Sequence, residues 1–250
     1  MNRTATATAA ASAIGVGTYW TVMSSQSQAF GSFPNRGAQS AHSPTVALTF
    51  DDGPNEPFTT RLARILEARD VRATFFQVGR AVARCPDASR ALFAAGHVLG
   101  NHSYSHDLHK CFTARHIDDE IRRAQDVFGE KLQLRPRLYR PPWLVRTPAT
   151  FRLLRRHGMQ PVSGTFCHPM EVAQPSGRRI AVRAVARATP GRMLIFHDGY
   201  NGRSADRRPT LDAVARTIDT LADRGWSFAT VDQIMGVTAY HDVLPVSPAR

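Results

Sequence analysis

The sequence predicts a parallel α/β fold. From about residue 45 to residue 236, runs rich in β-branched and aromatic residues alternate with amphipathic helical stretches. The chain has 250 residues, of which 42% are hydrophobic and 21% are charged. This composition is typical of a globular protein, and the length is sufficient for one sizeable hydrophobic core and a tail.

Strands and helices are expected in alternation along this region. Short apolar runs predict strands at residues 45–50, 72–79, the start of 97–106, 192–199 and 227–234. Apolar residues on one helical face predict helices at residues 59–70, 87–97, 113–132, 147–158 and 207–225. Thr113 suits the N-cap of the 113–132 helix. Pro148 and Gly158 suit the first turn and the end of the 147–158 helix.

The N-terminal segment has the pattern of an export signal. No charged side chain lies between Arg3 and Arg36, residues 7–23 are small and apolar, and SQA ends small-x-small at Ala29. The alternatives are an uncleaved anchor, although this segment is a poor membrane span, and a disordered extension. The expected organisation is a signal peptide or anchor (1–29), a linker (30–43), a folded domain (44–236) and a C-terminal tail (237–250). A secreted or envelope-associated protein is therefore expected.

The chain is strongly basic. Its 32 Lys and Arg residues against 20 Asp and Glu residues give a formal net charge of +12 and a pI of about 10.8. Such a surface suits nucleic acid, an anionic membrane surface or an acidic cell-wall polymer. The basic residues are scattered, and no helix-turn-helix, zinc-finger or stacking-aromatic signature accompanies them, so nucleic-acid binding is not expected.

The cysteines do not form a recognisable framework. Cys85, Cys111 and Cys167 have neither CxxC spacing nor the density of a disulfide scaffold. In an oxidising compartment, Cys85 could pair with Cys111 and leave Cys167 free.

Polar side chains follow three of the predicted strands. Asp51, His102 and His197 come just after strand-like runs, and ligands of parallel α/β folds collect beyond the carboxyl ends of the strands. The adjacent Asp51 and Asp52 form either a solvated turn or two carboxylates with different roles. His102 and His106, four residues apart, can converge on one ion from a helical turn or a tight loop. With one carboxylate they make a His₂Asp set that leaves a position open, as in catalytic zinc sites.

Five ordered motifs together resemble those of a known family. TFDDGP, ATFFQVG, GHVLGNHSYSH, YRPPW and MLIFHDG occur in this order between about Thr45 and Ile234. They resemble the polysaccharide deacetylase family with the NodB homology domain, carbohydrate esterase family four. The resemblance implies a distorted (β/α) barrel and metal-dependent removal of N- or O-acetyl groups from a glycan.

The resemblance also implies a role for each carboxylate and histidine of the first motifs. Asp52, His102 and His106 would be the metal ligands, and Asp51 would be the general base. The cation, zinc by default with cobalt or nickel as alternatives, would keep both aspartates ionised. It would also lower the pKa of its water toward neutrality, to roughly 7 for zinc.

The remaining motifs supply further roles by the same resemblance. Arg140 would orient the base, and the amide of Trp143, after two prolines, would donate to an oxyanion. His197 would be the general acid, and Ile195 would line the pocket for the acetyl methyl group. Taken alone, RPPW would indicate a rigid turn with a packed tryptophan, and FHDG a strand-end histidine bonded to a carbonyl.

Residues 162–172 depart from the family pattern. Many members have an Asp and a Trp here, which tune the acid and wall the pocket, and VSGTFCHPMEV has neither. His168 and Pro169 partly match a His-Asp-Pro run of some members, and Glu171 could replace the missing carboxylate.

The leading hypothesis is an exported deacetylase that acts on an N-acetylated amino-sugar polymer or oligomer of the peptidoglycan or chitin type. The same chemistry would serve O-acetylated xylan or another ester. A non-catalytic glycan-binding protein on the same scaffold is the alternative from another class, although such a protein would be expected to lose a ligand or the base. The positive charge would favour association with an anionic cell envelope.

Overall fold

The computed structural model describes residues 17, 19–37 and 44–242. Predictions for residues 1–16, 18, 38–43 and 243–250 lie outside these residues. The strands are β1 (Thr45–Asp51), β2 (Thr74–Gln77), β3 (Val98–Asn101), β4 (Leu138–Tyr139), β5 (Gln160–Pro161), β6 (Thr165–Phe166), β7 (Met193–His197) and β8 (Ser227–Phe228). The helices are α1 (Phe58–Glu67), α2 (Gly79–Arg84), α3 (Pro86–Ala94), α4 (Ala114–Leu132), α5 (Pro148–Arg156), α6 (Gly177–Arg187), α7 (Arg208–Ala222) and α8 (Val231–Met235).

The strands form one curled parallel sheet. Their order is β5-β4-β3-β2-β1-β7-β6, with β8 paired to the start of β1. In the described part of the chain, β5 and β6 are not paired, so the half-barrel is open at a seam between them. The parallel α/β prediction and the barrel implied by the resemblance are both confirmed.

The central strands carry the main core. Every residue of β1 after Thr45 is buried, as expected of a parallel strand covered on both faces. Phe50 stacks against Phe75 of β2 at 4.9 Å and against Phe196 of β7 at 5.8 Å between ring centroids. This aromatic row packs β1, β2 and β7 together, and β1 and β7 each end in a candidate site residue.

Helix ends follow the local signals in the sequence. The Thr113 side chain caps α4 by accepting from the His116 amide, as predicted. Thr147 and Thr150 form a capping box around Pro148 at the start of α5. Gly158, just beyond α5, has φ +62°, a conformation that glycine adopts without strain.

Several elements differ from the sequence-based expectations. The strand expected at 227–234 is only β8, because Thr230 and Gln233 form a capping box that starts α8. β4, β5 and β6 have two residues each and were not anticipated, and neither were α2 and α6. Two residues are too few to show the alternation that identifies a strand.

Residues on both sides of the predicted domain pack against it. Phe33, placed in the expected linker, is completely buried, and its ring lies edge-on to Phe151 at 6.2 Å. Ser163 donates its amide to the carbonyl of Pro34, beside the seam. In the expected C-terminal tail, the hydroxyl of Tyr240 accepts from the Leu99 amide at 2.9 Å.

The Cys85–Cys111 pairing that the sequence left open is not present, and Cys85, Cys111 and Cys167 are all free. Cys111 is buried, and its thiol donates to the carbonyl of Asp107 at 3.5 Å. Burial raises the pKa of the Cys111 thiol to about 12. Among the described residues, no helix is both long enough and apolar enough to cross a membrane.

Candidate active site

The predicted site residues meet at the carboxyl edge of the sheet. β1 ends at Asp51 and β7 at His197, and these two residues are register partners on neighbouring strands. β3 is followed directly by His102, and β4 by Arg140. The parallel direction of the strands therefore brings side chains from four separate motifs to one place.

Asp52, His102 and His106 form a compact buried group. The Asp52 Oδ1 atom lies 3.0 Å from His106 Nε2 and 3.5 Å from His102 Nε2. One ligand atom from each residue lies within 4.8 Å of the others. HSYSH is a loop after β3 rather than a helical turn, so the loop provides the convergence of the two imidazoles.

Hydrogen bonds orient these three side chains. His102 Nδ1 donates to the carbonyl of Arg140 at 2.7 Å, which orients the ring so that Nε2 faces Asp52. Asp52 Oδ2 accepts from the Asn201 amide at 2.9 Å, whereas Asp52 Oδ1 is buried without a hydrogen-bond partner among the described residues. An orphaned carboxylate oxygen that faces two imidazole Nε2 atoms fits a divalent cation.

The electrostatics of the group agree with this fit. Burial by itself would raise the pKa of Asp52, but His106 and His102 outweigh burial and hold the pKa well below its usual range. Only 4% of Asp51 and 4% of Asp52 are exposed, so the solvated-turn interpretation of this pair is wrong. The buried pair needs compensating positive charge.

Two glycines allow the loops of the site to approach each other. Asp52 has φ 78°, and a Cβ on Gly199 would lie 2.4 Å from the Asp52 carbonyl oxygen. A Cβ on Gly53 would lie 2.1 Å from Asp198 Oδ2. The glycines of DDG and HDG are therefore required by the same close contact between the ends of β1 and β7.

Asp51 is held by a buried arginine. Arg140 Nη1 donates to Asp51 Oδ1 at 2.7 Å and to the hydroxyl of Thr49 at 2.7 Å, and Nη2 donates to the Ser163 carbonyl at 2.8 Å. The guanidinium also lies 4.1 Å from the ring centroid of Phe76. Arg140 is completely buried and therefore fixes one oxygen of Asp51.

His197 has a carboxylate partner in Glu171. Its Nδ1 lies 2.5 Å from Glu171 Oε2, and the Thr210 hydroxyl donates to Glu171 Oε1 at 2.6 Å. Burial alone would lower the pKa of His197, but Glu171, helped by two aspartates of the site, raises it to about 9. Burial raises the pKa of Glu171, but His197 and Thr210 outweigh burial and keep it below its usual value.

The turn after Arg140 brings Trp143 beside the metal-ligand group. The ring centroids of Trp143 and His106 are 4.1 Å apart. Trp143 and the following Leu144 both have left-handed backbones, with φ 51° and 58°. Ile195 is completely buried in a cluster with Leu144, Phe151 and Phe33, so its side chain lies behind the turn.

Some contacts of the site could not be inferred from the motifs. The Asn201 amide and the Thr210 hydroxyl reach the site from the loop after β7 and from α7. Asp198, next to the predicted acid, accepts from the Thr59 hydroxyl of α1 at 2.6 Å. Burial raises the pKa of Asp198 to about 7.

Comparison with known proteins gives the class of this fold and site. Residues 38–162 match the family described as polysaccharide deacetylase. The chain belongs to the polysaccharide deacetylase family, a family of hydrolases, as the five motifs indicated.

Two curated relatives and one solved structure illustrate the similarity. The chain is 30% identical over 191 residues to a peptidoglycan-N-acetylglucosamine deacetylase of Bacillus cereus, covering 76% of this chain and 87% of the relative. It is 31% identical over 198 residues to a chitooligosaccharide deacetylase of a Bradyrhizobium species, covering 76% of this chain and 90% of the relative. The crystal structure of the Bc1960 peptidoglycan N-acetylglucosamine deacetylase superposes with a TM-score of 0.74 at 22% identity, covering 81% of this chain and 93% of that one. That structure supports the fold.

Proposed function

We propose that this protein is a metal-dependent hydrolase that removes N-acetyl groups from an amino-sugar polymer or oligomer of the peptidoglycan or chitin type. The observation that carries the proposal is the buried Asp52–His102–His106 group between a carboxylate held by arginine and a histidine held by glutamate. Relatives named as deacetylases of peptidoglycan and of chitooligosaccharides support the substrate class.

The metal would be held by Asp52 Oδ1 and the Nε2 atoms of His102 and His106. A divalent cation supplies a Lewis acid for the acetyl carbonyl and lowers the pKa of water toward neutrality. Two imidazoles and a carboxylate suit zinc, and they also suit cobalt and nickel, so zinc is proposed on availability.

Asp51 would serve as the general base. Arg140 occupies Asp51 Oδ1, which leaves Oδ2 to take a proton from the attacking water. The guanidinium is completely buried, so the orientation of the carboxylate is set before the substrate binds.

His197 would serve as the general acid. Glu171 raises the pKa of the imidazole to about 9, so His197 is protonated at neutral pH. Its proton would go to the leaving amine nitrogen as the carbon–nitrogen bond breaks, and the products are acetate and a free amino sugar. Glu171 would take the place of the aspartate that is absent from residues 162–172.

The turn at Trp143 would complete the site. The Trp143 amide is proposed to donate to the oxyanion that develops on the acetyl oxygen, as donors of this kind do in acyl transfer. Ile195 is proposed to support the acetyl-methyl pocket from behind, because it lies in the same buried cluster as Leu144 of the turn.

We also propose that the protein is exported and associates with an anionic cell envelope. A groove of about 590 Å³ beside α6 is lined by His168, Arg178, Arg179 and Arg183. Its charge, together with the formal net charge of +12, supports electrostatic attraction to an acidic polymer.

Acetate release tests the function. Full-length protein supplied with zinc would be incubated with N-acetylglucosamine oligomers, peptidoglycan and acetylated xylan in parallel. Asp51→Asn is the test variant, and Asp223→Asn, at an exposed aspartate, is the matched control. We expect acetate from an N-acetylated glycan and a loss of about 10²–10⁴-fold in Asp51→Asn only.

The other outcomes separate the alternatives. Acetate from xylan alone would replace the amide substrate by an ester on the same site. Zinc bound with no acetate from any of the three glycans would contradict the enzymatic function and favour a glycan-binding protein. Full activity of Asp51→Asn would contradict the role of the base.

A further inference from the structure

Among the residues that the structure describes, no carboxylate pairs with the buried cation Arg146. Only 1% of the residue is exposed, and its guanidinium donates to four main-chain carbonyls. One of these, at 2.9 Å, belongs to Leu144 in the turn after the tandem prolines. Burial lowers the pKa of Arg146 to about 10, so the side chain is still charged at neutral pH.

The other three carbonyls belong to a segment far upstream, which we call the strap (residues 22–33). Arg146 Nη1 donates to Val22 at 3.2 Å, and Nη2 donates to Ser24 at 2.6 Å and to Ser27 at 2.9 Å. The Arg146 amide adds a further bond to the Val22 carbonyl at 3.1 Å. Five donors in a planar fork allow one arginine to hold several carbonyls at once.

The strap is itself folded onto the domain. The Gln28 side chain donates to the Phe33 carbonyl at 2.9 Å and accepts from the Phe33 amide at 2.5 Å, which closes a tight loop. The Phe33 ring is completely buried and lies 4.6 Å from the Arg146 guanidinium carbon. The Ser163 hydroxyl donates to the Ser25 carbonyl at 2.8 Å, which fastens the strap at the seam.

The turn that Arg146 holds is strained. Trp143 and Leu144 are consecutive non-glycine residues at φ 51° and 58°. Such backbones persist only where the surrounding structure holds them. Here the Leu144 carbonyl is bound by Arg146, and the Leu144 side chain lies in the same buried cluster as Phe33 of the strap.

We infer that Arg146 is a positioning residue that fastens the strap to the Trp143 turn, so that residues 22–33 are part of the working enzyme. The inference rests on the proposed function, because the turn matters for the rate only if its amide binds the oxyanion. It replaces the expectation that cleavage after Ala29 yields the active protein. Such a cleavage would remove the three strap carbonyls that Arg146 binds.

Variants of the full chain test the positioning role. In Arg146→Gln we expect kcat to fall about 10²-fold, the effect of a misplaced catalytic group, with KM within about twofold and zinc content unchanged. Arg146→Lys keeps the charge but loses the planar fork, so its kcat should lie between those of Arg146→Gln and the unchanged protein. Arg155→Gln, at an exposed arginine of α5, is the control and should leave kcat unchanged.

A fall in thermal stability with unchanged kcat would overturn the positioning role, and so would a rise in KM with unchanged kcat. If Arg146→Gln does not fold, the positioning role is tested by kcat of Arg146→Lys and by the N-terminus of the natural protein. Intact mass of active protein recovered from the producing cell should show a first residue at or before Val22. Active protein that begins at Phe30 would overturn the inference.

Failure of the proposed function is distinguishable from failure of this inference. Unchanged protein that releases no acetate would remove the proposed function, and the intact mass would still show whether the strap is retained. Acetate release by a protein that lacks the strap would uphold the function and reject the inference.

Discussion

Glu171 shows how one residue can restore a contact that a family motif lacks. Its carboxylate comes from a short 3₁₀ turn, Glu171–Ala173, yet it reaches His197 at 2.5 Å. The sequence allowed this substitution as a hypothesis but gave no reason to prefer it, because the target of a loop carboxylate depends on tertiary structure. Asp51, Asp52, His102 and His106 could be grouped from motifs, since Asp51 and His102 follow strand-like runs and Asp52 and His106 lie one and four residues beyond them.

Glu171 should set the alkaline limit of activity through the pKa of His197. His197 has its pKa raised to about 9, so the acid form is complete at neutral pH and is lost as pH rises through that value. In Glu171→Gln the partner that raises the pKa is gone, and the alkaline limb of kcat should move to lower pH. The measurement is kcat against pH, with Glu67→Gln, at an exposed glutamate, as control. An unmoved alkaline limb would contradict the role of Glu171.

A second prediction concerns the metal. Loss of an outer partner typically weakens metal binding 10–100-fold, so loss of a ligand in His106→Ala should weaken it by more than about 100-fold. Chelation of the unchanged protein should abolish acetate release, and zinc should restore it. Zinc titration followed by calorimetry measures the affinity, and His116→Ala, at an exposed histidine, is the control. Equal zinc affinity in both variants would contradict the proposed ligand set.

Long helices and strands could be predicted from the sequence, whereas strands of two residues could not. α4 has 19 residues and a clear apolar face, and its N-cap at Thr113 was predicted correctly. β4 to β6 have two residues each, so their strand character comes only from pairing within the sheet. α6 could have been found, because Ile180 and Ala184 lie four residues apart on its buried face.

A prediction at the element scale compares two glycines. A methyl group at Gly199 would meet the Asp52 carbonyl at 2.4 Å, so Gly199→Ala should destabilise the protein by about 1–3 kcal/mol and lower its zinc affinity. Apart from the backbone of α4 itself, no atom of the described residues lies within 4 Å of a Cβ at Gly129, so Gly129→Ala should stabilise the protein by about 0.5–1 kcal/mol. Urea unfolding measures both free energies of unfolding. Equal effects of the two substitutions would contradict the close loop contact.

At the scale of the whole molecule, charge is the property most visible in the sequence. The net charge of +12 is evident from the sequence. The groove lined by Arg178, Arg179 and Arg183 is not, because it depends on how α6 packs. Burial and the nearby arginines, Arg183 first, lower the pKa of His168 in this groove. The groove is therefore a local concentration of positive charge.

The corresponding prediction is a salt-dependent attachment. Protein bound to anionic cell-wall fragments should be released as salt shortens the screening length to less than about 8 Å. Arg179→Gln combined with Arg183→Gln should release at lower salt than Arg152→Gln combined with Arg155→Gln, which removes the same charge from the exposed side of α5. Co-sedimentation with the fragments across a salt series measures the salt concentration at which each variant is released. Identical release curves would place the attraction elsewhere on the surface.

The strap also constrains the order in which the molecule can be assembled. The bonds from Arg146 and Ser163 to it join residues 119 to 138 positions apart in the chain. A ribosome completes the strap well before it adds either partner, and contacts of such long range form slowly. The strap is synthesised first of these segments, but its bonds to Arg146 and Ser163 can form only after the sheet has curled. We therefore expect the strap to dock late in folding.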